Sequence, residues 1–362
     1  MSETLLMKGN EAIAEAALRA GCEGYFGYPI TPQSEILEYL AEHGEERGMM
    51  VLQAESELAS INMIYGASGA GARVMTSSSS PGISLMQEGL SYIACAELPC
   101  LVVNINRGGP GLGTIQPSQG DYFQAVKGGG HGDYKLIVLA PATVQEMADF
   151  VFDGFDLADK YRNPVMILAD GALGQMMEKV SFREYDPAKR GKRPWATTGK
   201  DGRSERNIIT SLHIKSEQME KINQHLQKKY CEVQENEVRY EEVQTEDAEY
   251  ILVAYGLSAR IAHKTVQLAR EKGIKAGLLR PITLFPFPLN QINRLSKKIN
   301  AVLTVEMNAG QMYEDVRLAV NGNVPVEFYG RMGGVIPSPE EVLDKLEKMV
   351  TPESISMKEE TV

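Results

Sequence analysis

Short, almost wholly apolar runs recur along this chain, and each is followed by a stretch of helical period. That alternation constrains the fold more than any other feature. Strand–helix–strand units lay their strands parallel and cover both faces of the sheet with helices. Runs at Gly24-Tyr-Phe-Gly, Met49-Met-Val-Leu-Gln, Arg73-Val-Met-Thr and Leu98-Pro-Cys-Leu-Val-Val-Asn-Ile-Asn read as strands, as do 134–139 and 164–169. Helices are expected at 9–21, then from Thr31 as N-cap with Pro32 at the first helical position, and at 57–70, 81–93 and 143–158. A second alternation begins at Tyr250-Ile-Leu-Val-Ala-Tyr and runs through Lys275-Ala-Gly-Leu-Leu to Ala301-Val-Leu-Thr-Val-Glu. The expected fold class is α/β with two doubly wound, mostly parallel sheets. The first unit covers 1–182 and the second 248–350; 183–247 reads as a linker with a charged helical segment outside any core, and 351–362 as a polar tail.

Composition narrows the function classes. The chain has 362 residues and 43% hydrophobic side chains, which supports more than one core and excludes a mostly disordered protein. Its formal net charge of −11 argues against nucleic-acid binding, and the basic cluster at 189–193 does not outweigh it. No run approaches the roughly 18 apolar residues that span a bilayer, and the first residues lack a basic-then-apolar signal pattern. The four cysteines form no Cys-x-x-Cys pair, and the five histidines show no metal-ligand spacing. A cytoplasmic, reduced protein without its own metal or iron–sulfur centre is expected.

Three loops follow predicted strands: Tyr28-Pro-Ile-Thr-Pro-Gln-Ser34, Thr76-Ser-Ser-Ser-Ser-Pro-Gly82 and Arg107-Gly-Gly-Pro-Gly-Leu-Gly113. In a doubly wound sheet such loops converge on the ligand crevice. Taken singly, their Gly, Pro and Ser are also ordinary turn chemistry. The third loop misses the dinucleotide spacing, since Thr114 stands where a last glycine belongs and Pro110 removes a backbone donor. His131 lies in the flexible run Gly128-Gly-Gly-His-Gly-Asp133, where solvation is its simplest state. Glu55 and Glu57 precede a small-residue helix, and capping at its N-terminus is the plain explanation for both.

Together with Gln53-Ala-Glu-Ser-Glu-Leu-Ala, Leu279-Arg-Pro-Ile-Thr-Leu-Phe-Pro and Val305-Glu-Met-Asn-Ala-Gly-Gln, these loops resemble the 2-oxoacid:ferredoxin oxidoreductases in order along nearly the whole chain. The resemblance is closest to the alpha subunit of the branched-chain, 2-oxoisovalerate type, with the 2-oxoglutarate type near it. It implies a thiamine diphosphate enzyme split over subunits. The first unit would be the pyrimidine-binding domain and the second a transketolase C-terminal-like domain. A beta subunit would bring the diphosphate-binding domain, Mg²⁺ and a [4Fe-4S] cluster. A ferredoxin-like iron–sulfur subunit, ferredoxin, coenzyme A and a 2-oxoacid complete the implied partners. The chain agrees with that division: it has no Gly-Asp-Gly followed by an asparagine pair, and Ala169-Asp-Gly171 lacks the first glycine.

By the same resemblance, Glu57 would be the activating glutamate, Thr31 and Arg107 would hold the substrate, and Tyr28, Pro29, Ile30, Thr31, Glu57, Ser78 and Ser79 would line the cofactor. A carboxyl hydrogen-bonded to the pyrimidine N1′ favours the imino tautomer that removes the thiazolium proton, and burial favours the donating form of such a carboxyl. Arg107 and Thr31 suit a carboxylate and its neighbouring carbonyl. No further basic residue in these loops awaits a second carboxylate, which favours a branched-chain oxoacid. A non-redox, transketolase-like chain and a non-catalytic assembly subunit are the competing readings.

Overall fold

The computed structural model describes residues 4–186, 190–200 and 202–350. The expected tail at 351–362, and Lys189 of the basic cluster, lie outside the described residues. In chain order the first unit contains β1 (Thr4–Lys8), α1 (Gly9–Arg19), β2 (Gly24–Gly27), α2 (Ser34–His43), β3 (Met50–Gln53), α3 (Glu57–Gly69), β4 (Val74–Ser78), α4 (Ser80–Cys95), β5 (Cys100–Asn106), α5 (Tyr122–Val126), β6 (Ile137–Leu139), α6 (Val144–Tyr161), β7 (Pro164–Asp170), α7 (Gly171–Gln175) and β8 (Met177–Ser181). There follow α8 (Ser216–Asn236), β9 (Tyr240–Val243), β10 (Tyr250–Val253), α9 (Gly256–Glu271), β11 (Ala276–Pro281), β12 (Thr283–Phe285), α10 (Leu289–Ser296), β13 (Ala301–Glu306), α11 (Gln311–Val320), β14 (Val326–Gly330) and α12 (Pro339–Val350).

The larger sheet has seven strands in the order β12-β6-β7-β5-β4-β2-β3, parallel except for β12. The smaller of the two main sheets has five, β14-β13-β10-β11-β9, parallel except for β9, and β1 and β8 form a separate antiparallel pair. Every residue of β5 and β7 is buried, as expected for central strands of a sheet covered on both faces. Helices α1 and α6 pack together, as do α3 and α4. The local starts follow sequence chemistry. Thr143 caps α6 through its hydroxyl, and Asp170 caps α7 by accepting from Ala172 and Leu173 N–H.

Two expectations need correction. Thr31 does not cap α2: that helix starts at Ser34 with Gln33 at its N-cap, and the preceding Thr31–Pro32 peptide is cis. The segment read as linker contributes structure to both units. β9 forms the edge of the smaller sheet, while Leu226, Tyr230 and Val233 on one stripe of α8 enter the main core. Within the basic cluster, Arg190 pairs with Glu23 and Arg193 with Asp159, so these charges pin the chain to the first unit.

The two units are interlocked. The chain leaves β11 and, after one residue, enters β12, which pairs antiparallel with β6 of the other sheet through Thr283↔Leu139 and Phe285↔Val138. Arg280, at the end of β11, is buried and joins Glu146 of α6 at 3.0 Å to Glu241 of β9 at 3.2 Å. One core cluster therefore runs through both units, from Ile13 and Leu101 to Leu284 and Val316, beside a smaller one around Leu252, Leu303 and Leu346. Removing one partner of a buried charge cluster is costly, and the partial exposure of both glutamates lowers that cost. Arg280→Met should lower the free energy of unfolding by about 2 kcal/mol. A urea titration reads this, and an unchanged midpoint would show that the bridge carries no net stability.

Candidate active site

Adjacent parallel strands end at the same edge of a sheet, so the order β5-β4-β2 sets three loops side by side. The loop after β2 carries Tyr28, Pro29, Ile30 and Thr31; its base is tied by buried Gln33, whose Nε2 donates to Tyr28 O at 3.3 Å. Gln33 Oε1 in turn accepts from Ser77 Oγ at 2.5 Å, and Ser77 pairs with Tyr25 OH at 2.7 Å. Arg107, directly after β5, donates from Nη1 to Thr31 O and from Nη2 to Leu112 O, each at 3.0 Å. Its Nε is buried without a partner. The structure thus brings Thr31 and Arg107 together and leaves a guanidinium donor uncommitted between the loops.

Glu57 and Glu55 behave differently. Ser56 is the N-cap of α3, accepting from Ala59 N–H at 3.2 Å, so neither glutamate is needed as a side-chain cap. Glu55 is exposed, while Glu57 is only 6% exposed. It lies against the start of α4. A Cβ placed on Gly82 would come within 3.0 Å of both Ser78 Oγ and the Glu57 carboxyl, so glycine is what allows the approach. Ser78 and Ser79 are fully buried, and both hydroxyls lack partners, as do Thr76 Oγ1, Asn104 Oδ1 and Asn106 Nδ2 nearby. Buried polar atoms are rarely unpaired, and each costs about 1–3 kcal/mol in that state. Several gathered at one end of a sheet make it the candidate place for a polar ligand.

The turn at 78–82 joins the two groups. Ser78 faces Glu57, and two residues on, Ser80 Oγ accepts the Arg107 N–H at 3.0 Å. Ser80 Oγ also donates to Asp121 Oδ2 at 2.6 Å, and Asn104 Nδ2 donates to the same oxygen at 2.9 Å. Burial pushes the Asp121 carboxyl up, while these bonds and the Arg107 charge oppose the shift. Beside Asn106, Asp170 is fully buried and pushed up to about 6 by desolvation, with backbone N–H groups opposing. Sequence reasoning took in Ser80 only as part of the loop at 76–82 and gave no role to Gln33, Gly82 or Asp121. One signal was available: Asn104 and Asn106 interrupt an otherwise apolar strand. His131 lies on the exposed surface, its ring edge-on to Tyr92 with centroids 6.1 Å apart.

Comparison with known proteins follows this geometry. Residues 15–249 match the family model described as pyruvate flavodoxin/ferredoxin oxidoreductase, thiamine diphosphate-binding, and residues 248–342 match pyruvate:ferredoxin oxidoreductase core domain II. The ketoisovalerate oxidoreductase subunit VorB of Methanothermobacter thermautotrophicus is 51% identical over 96% of this chain and 98% of that protein. The 2-oxoglutarate synthase subunit KorA of the same organism is 36% identical over 96% of this chain and all of that protein. Among solved structures, 2-oxoglutarate:ferredoxin oxidoreductase from Magnetococcus marinus, determined with 2-oxoglutarate, coenzyme A and succinyl-CoA, superposes with a TM-score of 0.86 at 27% identity. That match covers 97% of this chain and 66% of the other.

The close approach at Gly82 has a direct test. Gly82→Ala should displace Ser78 and Glu57 and destabilise the fold by about 1–3 kcal/mol, read as a lower urea midpoint with the far-ultraviolet circular dichroism retained. Wild-type stability in this variant would contradict the packing described.

Proposed function

Because this chain belongs to the pyruvate:ferredoxin oxidoreductase family, we propose that it is the alpha subunit of an enzyme that decarboxylates a branched-chain 2-oxoacid, 3-methyl-2-oxobutanoate, oxidatively. The products would be acyl-CoA, CO₂ and reduced ferredoxin. Identity of 51% to a ketoisovalerate subunit, against 36% to a 2-oxoglutarate subunit, favours the branched-chain substrate. The observation that carries the reading is Glu57, only 6% exposed, set against Gly82 and Ser78 and beside the buried, unpaired hydroxyls of Ser78 and Ser79. A carboxyl in that state is prepared for a donor–acceptor pair that a heterocycle supplies.

Bound thiamine diphosphate supplies a nucleophilic carbon and an electron sink. Glu57 would hold a proton against a ring nitrogen of the pyrimidine, and its burial excludes the water that would compete for that bond. The Ser78 and Ser79 hydroxyls and the loop Tyr28–Pro29–Ile30–Thr31 would frame the same ring. Arg107, with an uncommitted Nε donor, would take the substrate carboxylate by charge-assisted bonds. The Thr31 side chain, exposed beside it, would donate to the 2-oxo oxygen.

The remaining chemistry belongs in this reading to partner chains. Among the described residues, no group of three or more His, Cys, Asp or Glu could hold a metal ion, and the sequence lacks the metal-diphosphate motif. A beta subunit would bring the diphosphate-binding domain, Mg²⁺ and an iron–sulfur cluster. A ferredoxin-like subunit would pass single electrons to ferredoxin. No helix among the described residues is long and apolar enough to cross a membrane, and a cytoplasmic assembly would suit the four cysteines, which form no disulfide among the described residues.

Two outcomes follow. In the assembled complex, Glu57→Gln should lower kcat with 2-oxoisovalerate by about 10²–10⁴-fold, measured with a low-potential electron acceptor; full activity would leave this chain an assembly subunit. The isolated chain, given Mg²⁺ and thiamine diphosphate, should show no turnover, and measurable turnover would overturn the divided site.

A further inference from the structure

The motif Val305-Glu-Met-Asn-Ala-Gly-Gln311 stands in the second unit, yet Met307, Asn308 and Gln311 hydrogen-bond to the segment 119–123 of the first. Met307 O accepts from Gln119 N–H at 3.1 Å, and Met307 N–H donates to Gln119 Oε1 at 3.0 Å. Asn308 Nδ2 donates to Gln119 O at 2.8 Å. Gln311 closes the far side: its Nε2 donates to Gly120 O at 2.7 Å, and its Oε1 accepts from Phe123 N–H at 2.8 Å. Tyr122 OH then donates to Asp315 of α11 at 2.6 Å. Glu306, fully buried, steadies the motif by accepting from Met312 and Tyr313 N–H and from Asn308; burial holds it up at about 7 against those bonds. Asp121 is the residue left in the middle of this clamp, and it faces the other way, toward Ser80 and Asn104.

A serine hydroxyl has one proton. With that proton committed to Asp121 at 2.6 Å, the Ser80 oxygen is free to accept the Arg107 N–H. Protonating or neutralising Asp121 removes the strongest claim on the hydroxyl and lets it turn to Asn106 Oδ1 or Arg107 O, 3.3 and 3.2 Å away. We propose that Asp121, acting through Ser80 and anchored by Asn308 and Gln311 of the second unit, is the positioning residue that aims Arg107 at the 2-oxoacid carboxylate. The proposal rests on the assignment of Arg107 to that carboxylate. It gives the second unit a part in substrate affinity through a chain of hydrogen bonds that ends at the backbone of Arg107.

The test uses the complete complex and measures kcat and KM for 2-oxoisovalerate, KM for coenzyme A, and Kd for thiamine diphosphate. Asp121→Asn and Ser80→Ala should each raise the oxoacid KM about tenfold, with KM for coenzyme A and cofactor Kd within about twofold. Ser80→Thr keeps the hydroxyl and should restore most of the loss. Arg107→Lys should raise the same KM, and adding Asp121→Asn to it should cost little more, because both changes remove one function. Fully multiplicative effects, or an oxoacid KM unchanged by both Asp121→Asn and Ser80→Ala while Arg107→Lys is impaired, would overturn the relay alone. An unchanged KM in Arg107→Lys would overturn the assignment on which it rests. Equal losses in all three affinities would mark Asp121 as merely structural and also overturn the proposal.

Discussion

The parallel pairing of β5 with β4 and β7 is the constraint on which the rest depends. Parallel strands all finish at one edge, so whatever follows β2, β4 and β5 must meet there, and buried central strands allow no slippage of register. Register sets Ser78 opposite Asn104 and Asn106 opposite Asp170. Polar side chains then arrive at the end of an apolar layer in fixed places. Their bonds are only partly made within this chain, and the unpaired ones cluster where the loops converge. A protein holds such a cost only where something else offsets it, and under the proposed function that would be a ligand and a partner chain.

The same geometry explains why the two units are joined so closely. A loop that carries Asp121 between Gly120 and Tyr122 has little apolar side chain of its own to hold it. The second unit holds it instead: Asn308 and Gln311 bond its backbone, and the loop's own Gln119 carboxamide reaches back to Tyr255 O and Met307 N–H. Strand β12 works to the same end by crossing to the other sheet. Separating the units would expose the apolar faces of Tyr255, Leu284 and Phe285, which lie in the core cluster that both units share.

Much of the fold was legible because buried parallel strands and amphipathic helices leave periodic signals of their own. The runs at Leu98 to Asn106 and at 164–169 became β5 and β7 almost residue for residue. What escaped was long-range. Thr31-Pro32 has the local form of a helix start, but Gln33 is drawn inward by Ser77 and Tyr28 O, and the helix begins later. Arg280-Pro-Ile-Thr-Leu-Phe has the local form of a turn, yet Arg280 and Pro281 end β11 against β9, and Thr283–Phe285 becomes a strand by pairing with β6. The charged stretch of α8 hid a core stripe because Leu226, Tyr230 and Val233 are few among many polar residues. In the site, Glu57 was recognisable through its motif, while pattern alone favoured a capping role. Its burial depends on Gly82, 25 residues away in sequence and touching only after folding.

The central claim is that Glu57 shares a proton with the pyrimidine of bound thiamine diphosphate. Its most direct measurement is the rate of hydrogen–deuterium exchange at the thiazolium C2 of the cofactor in the assembled complex, followed by quenched-flow and proton NMR. The account predicts that Glu57→Gln slows this exchange by about 10²-fold or more while the cofactor stays bound. Exchange at the wild-type rate in that variant would contradict it.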